Sequence, residues 1–185
     1  MTAGISGSRD IITTQNNMGH YGPDWATHIP ALIKALEQTT GPVLELGVGI
    51  SSTPVMHMLC VDMGRHLLSF DNDRKYSAVF DKFSSRRDRH EIKHVDDWDT
   101  IDEQIRSTHW GLVLVDHKPV ERRVIEIKKL MNPLNGVEEP DMFVVHDSED
   151  PAYGYDEIYP LFKYRFNYTK TRTRTAVLSN KRELI

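Results

Sequence analysis

Acidic residues and histidines recur in this chain beside the ends of short apolar runs. Glu45 lies in the run 43–46, Asp71 follows 66–70, and Asp96 and Asp97 follow 91–95. Asp116 and His117 follow 112–115, and His146 and Asp147 follow 142–145. A carboxylate accepts two hydroxyl protons at once or binds a hard cation, and an imidazole takes up a proton near neutral pH. One polar residue after a strand is ordinary, since a strand must end in something. Five such sites, one per run, fall along a single rim if the runs are parallel strands of one sheet, and that rim is where open α/β sheets bind ligands. We read the five as a functional rim.

The first run is followed by a distinctive turn. Residues 41–54 read GPVLELGVGISSTP, a strand that breaks into Gly47 and Gly49 and then into Ser51, Ser52, Thr53 and Pro54. Thr53 as N-cap with Pro54 at the first helical position would start a helix there, presenting free N–H groups to an anionic or polar ligand. Asp71 stands 24 residues beyond Gly47, with Asn72 and Asp73 after it. An acidic residue at that distance binds ribose hydroxyls in dinucleotide sites, while capping of the next helix falls to Asn72 or Asp73. The third glycine of the dinucleotide fingerprint is absent.

The elements that would position these residues alternate. Pro23 and Asp24 open a helix with Ile29, Leu32, Ile33 and Leu36 at helical spacing, stopped by Gly41 and Pro42. A second helix runs to Gly64 with Val55, Met58, Leu59 and Met63 facing a core. A third covers 74–84 with Tyr76, Val79, Phe80 and Phe83 inward. Helices are also expected over 100–107, from Pro119 through Leu130, and over 151–162. The last two β segments, 165–169 and 175–178, have no room between them for a crossover helix and should pair antiparallel. Strand–helix alternation with such a terminal pair gives an α/β fold, mostly parallel with an antiparallel edge. Residues 1–22 are polar and without period. We read them as a mobile arm or lid carrying Asn16, Asn17, His20 and Tyr21, with 23–185 as a single domain.

At Glu45-Leu46-Gly47-Val48-Gly49 the chain resembles the class I S-adenosylmethionine-dependent methyltransferases, whose first motif is an acidic residue, any residue, then Gly-x-Gly. Asp71 matches their second acidic position, and Asp96 or Asp97 the acid that approaches the adenine. The resemblance covers about residue 25 to the C-terminus and departs at Ser51, where the family often has glycine. It implies a Rossmann-like seven-stranded sheet of order 3-2-1-4-5-7-6, with S-adenosylmethionine as cofactor. Gly47, Gly49 and Ser51 would admit the methionine part, and Glu45 would orient the turn or meet the amino group. Asp71 and Asn72 would face the ribose, and Asp97 (or Asp96) the adenine with Trp98 packed nearby. The acceptor would face Asp116, His117, His146 and Asp147. Asp116 and Asp147 are also similar to the metal ligands of magnesium-dependent O-methyltransferases, with the second half of the acidic pair after the fifth strand missing and Glu149 or Asp150 as substitutes. A Mg²⁺ or Mn²⁺ at Asp116 and Asp147, or a metal-free reaction with His117 or His146 as base, both follow. The function implied is methyl transfer to an oxygen of a small molecule.

Composition sets the remaining bounds. With 185 residues, 39% hydrophobic and 27% charged, the chain can bury roughly 70% of its unfolded surface as one domain. A net charge of −4 and a pI near 6.1 argue against a general nucleic-acid binder. The tail is locally basic, however, with Lys163, Arg165, Lys170, Arg172, Arg174, Lys181 and Arg182. A nucleic-acid methyltransferase using that hairpin, and a nucleotide-binding domain without turnover, are therefore the rival readings. The single cysteine, Cys60, excludes an intramolecular disulfide and reads as a buried structural thiol. No apolar run is long enough to span a bilayer, so a cytoplasmic protein without a membrane partner is expected.

Overall fold

The computed structural model describes residues 24–185, so the arm and lid assigned to 1–22 lie outside the described residues, as does Pro23. Seven strands form one sheet: β1 (Val43–Leu46), β2 (Leu67–Asp71), β3 (His90–His94), β4 (Leu112–Val115), β5 (Met142–His146), β6 (Tyr164–Tyr168) and β7 (Thr175–Ser179). Their order is β3-β2-β1-β4-β5-β7-β6, with β1 to β5 parallel and β7 antiparallel to both β5 and β6. The expected sheet order and terminal strand pair are both present. Strand bounds shift by one residue at several ends.

Successive side chains of a strand point to opposite faces, and the two halves of the core follow that rule. Leu44, Leu46, Phe70, Val113, Val115, Phe143 and Val145 face one side, where Trp98, Ile105, Ile127 and Tyr155 cover them. Val43, Leu67, Leu112, Leu114, Met142 and Val144 face the other, covered by Leu32 and Leu36 of α1 (Ile29–Gln38) and by Met56 and Cys60 of α2 (Ser52–Asp62).

The helices differ from expectation in informative places. α1 begins at Ile29 with Pro30 in its first turn, and Asp24 lies in the turn before it instead of capping it. α2 begins at Ser52, so Thr53 lies inside the helix. Its buried face carries Met56 and Cys60, while Met58 and Met63 are exposed at 60% and 40%. This helix is apolar nearly all round, so the pattern alone could not say which face turned inward. The segment from Arg74 is a short α3 (Arg74–Ser77) followed by a 3-10 helix to Phe83, with Val79 outward. A 3-10 turn (Trp98–Ile101) leads into α4 (Asp102–Arg106), and α5 (Arg122–Leu130) starts after Pro119 and not at it. The expected helix over 151–162 is absent. Gly154 adopts φ +68, and with Pro151 and Pro160 it divides the segment into three 3-10 turns.

Candidate active site

The turn after β1 is held from beneath by Glu45. That side chain is fully buried and accepts hydrogen bonds from Ser52 Oγ (2.8 Å), Thr53 Oγ1 (2.9 Å) and Ser69 Oγ (2.6 Å). Thr53 Oγ1 in turn accepts from the Gly49 amide at 2.9 Å. Burial pushes the Glu45 carboxyl up to about 7 against the pull of its three hydroxyl donors. Gly47 sits at φ +96, and a Cβ there would lie 2.6 Å from the Asp116 carbonyl oxygen. Glycine is thus required both by the backbone angle and by the close approach of the segment after β4.

Asp71 ends β2 beside this turn and is 8% exposed. Its Oδ2 accepts from the Val48 amide (3.0 Å) and its Oδ1 from the Asp73 amide (2.7 Å). Burial raises its pKa while the two amides hold it down. Each oxygen keeps a second lone pair for a hydroxyl. Asp73, and not Asn72, caps α3, accepting from the amides of Lys75 and Tyr76.

At the ends of β4 and β5 a denser cluster forms around Asp116. The Arg123 guanidinium, 3% exposed, reaches across from α5. Its Nη2 lies 2.9 Å from Asp116 Oδ1 and its Nη1 lies 3.6 Å from Asp147 Oδ2. Its Nε donates to the His117 carbonyl at 2.8 Å, and its plane covers the Tyr153 ring at 4.5 Å. Asp147 adopts φ +55, an angle that Asp tolerates better than most residues, and accepts from the Tyr153 hydroxyl at 2.9 Å. His146 Nδ1 lies 3.3 Å from Asp116, and its Nε2 lies 2.8 Å from Thr27 Oγ1 and 3.0 Å from Thr173 Oγ1. Thr27 Oγ1 also contacts the Asp24 carbonyl at 2.8 Å, which can only accept. The Thr27 proton is thereby committed, so the His146 Nε2–H donates to Thr27 and Nδ1 carries the lone pair of the neutral ring.

Three buried histidines surround this cluster and differ in charge preference. Burial lowers His117 to about 3 and His28 to about 4, the Arg123 cation adding to the effect at His117. Burial would also lower His146, but the hydrogen bond and charge of Asp116 outweigh it and raise that ring. Burial pushes the Asp116 carboxyl up, yet His146 and Arg123 bring it down to about 2.

Both groups open on one cleft of about 410 Å³, within the usual range for a small-molecule site. The glycine turn and Asp71–Asp73 line one side. Asp116, His117, Arg123, His146 and Asp147 line the other, with His28 and Tyr153 beside them.

Solved structures with this sheet exist at low sequence identity. A methyltransferase of Geobacter sulfurreducens matches 98% of this chain and 91% of its own at a TM-score of 0.60 and 11% identity. An O-methyltransferase of Bacillus cereus in complex with SAH matches 97% and 93% at 0.59 and 11%. An rRNA methylase of Streptococcus thermophilus matches 83% and 95% at 0.56 and 10%. No protein-family model matches the sequence, and no curated protein does. The fold is that of the class I methyltransferases.

Several expectations need correction on this methyltransferase fold. Glu45 is not among them: it orients the turn from below, the first of its two expected roles, and does not line the cleft. Asp96, Asp97 and Trp98 do not line it either. The Asp96 carboxylate is 87% exposed against His94 and Arg74, and Asp97 caps the 3-10 turn through the Asp99 amide. Trp98 is buried, donates to the Lys118 carbonyl at 2.9 Å and packs its ring 4.2 Å from His117. The loops after β3 and β4 therefore meet through Trp98. The Asp116–Asp147 pair also does not fit a magnesium site, because the Arg123 guanidinium already stands between the two carboxylates. Glu149 and Asp150 are exposed and bind the amides of Arg174 and Ala152. Gly47, Gly49, Ser51, Asp71, Asn72, Asp116, His117, His146 and Asp147 all border the cleft or shape its turn. His28 and Thr27 were not among the residues the sequence pointed to for chemistry. Thr27 lies 119 positions from His146, and no local motif marks that meeting.

Proposed function

We propose that this chain is an S-adenosylmethionine-dependent methyltransferase that transfers the methyl group to a hydroxyl oxygen of a small molecule. The observation that carries the reading is the single cleft joining the glycine turn and Asp71 to the Asp116–His146 pair. When bound, S-adenosylmethionine supplies a methyl group on a sulfonium, open to in-line displacement. The residues present fit it at two points. Asp71 offers free lone pairs to ribose hydroxyls, and the turn around Gly47 and Gly49 lets backbone come close where a side chain would intrude.

At the other end Asp116 orients the acceptor hydroxyl. At about 2 its carboxylate is too weak a base to take the proton alone. His146, raised by Asp116, takes it at Nδ1, and Arg123 balances the charge of the two acids. Tyr153 and His28 border the acceptor. The test is a cell extract incubated with protein and methyl-labelled S-adenosylmethionine, followed by mass spectrometry. A new O-methyl product that disappears with Asp116→Asn supports the proposal; label only on nitrogen, or none, contradicts it.

One observation favours a nucleic-acid acceptor instead. The exposed Lys170, Arg172 and Arg174 flank Thr173, which touches His146, so the basic hairpin tip borders the acceptor end. Labelled tRNA or rRNA whose yield falls steeply with salt would select that reading.

A further inference from the structure

We infer that His28, Asp116 and His146 form a binding site for a divalent transition metal ion, with Asp147 outside it. One ligand atom from each of the three lies within 4.8 Å of the other two, and among the described residues no other three His, Cys, Asp or Glu side chains meet this way. Three side chains with positions left open is the pattern of a reactive metal centre and not of a closed structural one.

Three further observations point to a cation. His28 is 2% exposed, and neither of its ring nitrogens has a partner, although its ring packs edge-on against His146 at 4.7 Å. A buried imidazole with both nitrogens unsatisfied, lining a cleft, carries an uncompensated cost that a ligand would remove. Second, Thr27 fixes the His146 Nε2–H, which turns the Nδ1 lone pair toward the Asp116 carboxylate at 3.3 Å. Two lone-pair acceptors at that distance need a proton or a metal ion between them. With bonds of about 2.0–2.1 Å, tetrahedral ligand atoms stand about 3.4 Å apart, so this pair is already spaced for one. Third, Thr27 and Thr173 hold the far nitrogen of His146, as outer partners hold metal-bound imidazoles.

Charge agrees with this choice. Arg123 offsets only one of the two carboxylates it touches, so the cluster keeps a net negative charge toward the cleft. Two imidazoles and one carboxylate favour Zn²⁺, Fe²⁺, Co²⁺ or Mn²⁺ over Mg²⁺, which wants oxygen ligands and keeps its water. In the loaded protein His146 would be a ligand, and an ion there would acidify a bound hydroxyl in its place.

Cobalt titration of the full chain without S-adenosylmethionine tests this separately from the methyl-transfer reading. One Co²⁺ per chain is expected, giving intense visible d–d bands of low coordination number that Zn²⁺ abolishes and excess Mg²⁺ leaves unchanged. His28→Gln and Asp116→Asn should each weaken binding more than about 100-fold, beyond the loss from an outer-shell partner. Asp147→Asn should weaken binding far less than either, since Asp147 adds charge beside Nδ1 but no ligand bond. If the first two variants misfold, ring-nitrogen NMR of the parent decides. Zn²⁺ should shift His28 and His146 but not His117. A spectrum like that of aqueous Co²⁺, binding retained in His28→Gln, or unmoved ring signals would overturn the site and leave the metal-free base reading standing.

Discussion

At the scale of single residues, Arg123 decides what the acceptor end can be. Of the two adjacent arginines that open α5, Arg122 pairs with Asp99 and Glu126 at the surface and Arg123 turns inward. The inward one places its charge between Asp116 and Asp147, where a magnesium ion had been expected. Removing it leaves two part-buried carboxylates without the cation they share, so Arg123→Met should cost about 3–5 kcal/mol in urea denaturation. The deficit should shrink at lower pH as the acids protonate. A loss below about 1 kcal/mol, independent of pH, would mean the guanidinium balances nothing.

Glu45 gives a second residue-level prediction, with its own sign. Its pKa is about 7 in the folded chain and near 4.5 when unfolded. Its stabilisation is therefore fully present below about pH 4.5 and is lost as pH rises to 7, about 3 kcal/mol in all. The stability difference between the parent and Glu45→Gln, followed by denaturation across that window, should carry this slope; a flat difference would refute it. The acid was legible in the sequence as part of a motif. Its place beneath the turn was not, because that depends on Ser69 of the neighbouring strand facing it.

At the scale of elements, two of the positive-φ glycines, Gly47 and Gly154, separate strain from collision. Gly154 at φ +68 has room, since a methyl group added there would meet Val124 Cγ2 first, at 3.7 Å, whereas at Gly47 the Asp116 backbone stands at 2.6 Å. Gly154→Ala should cost about 1–2 kcal/mol from backbone angle alone. Gly47→Ala should cost clearly more and displace the segment after β4. Equal losses in chemical denaturation would show that the close approach is not felt. Strands were the most legible elements, since their apolar runs are short and bounded by glycine and acid. Helices were less so. Residues 151–162 look helical by composition, but Gly154 and two prolines break them, and the apolar surround of α2 hid its buried face.

At the scale of the whole molecule, sheet order brings together what the chain keeps apart. The alternation of elements and the terminal hairpin pointed to a mostly parallel sheet with an antiparallel edge, and the resemblance at the glycine turn implied the order β3-β2-β1-β4-β5-β7-β6. They also sufficed to place Asp71, Asp116 and His146 along one rim. They did not reveal that the loop after β3 folds Trp98 into the core, which removes Asp96 and Asp97 from the cleft. They did not reveal His28 either, which arrives from the turn before α1. The described helices include none long and apolar enough to cross a membrane.

The cleft is expected to take S-adenosylmethionine with Asp71 as its ribose anchor and without the acids after β3. Calorimetric titration with S-adenosylhomocysteine measures this directly. One site per chain is expected. Asp71→Asn should weaken it at least about tenfold, the worth of one charge-assisted hydrogen bond, and Asp96→Ala and Asp97→Ala should leave it unchanged. No binding heat, or a loss at Asp97 as large as that at Asp71, would contradict the proposed cofactor site.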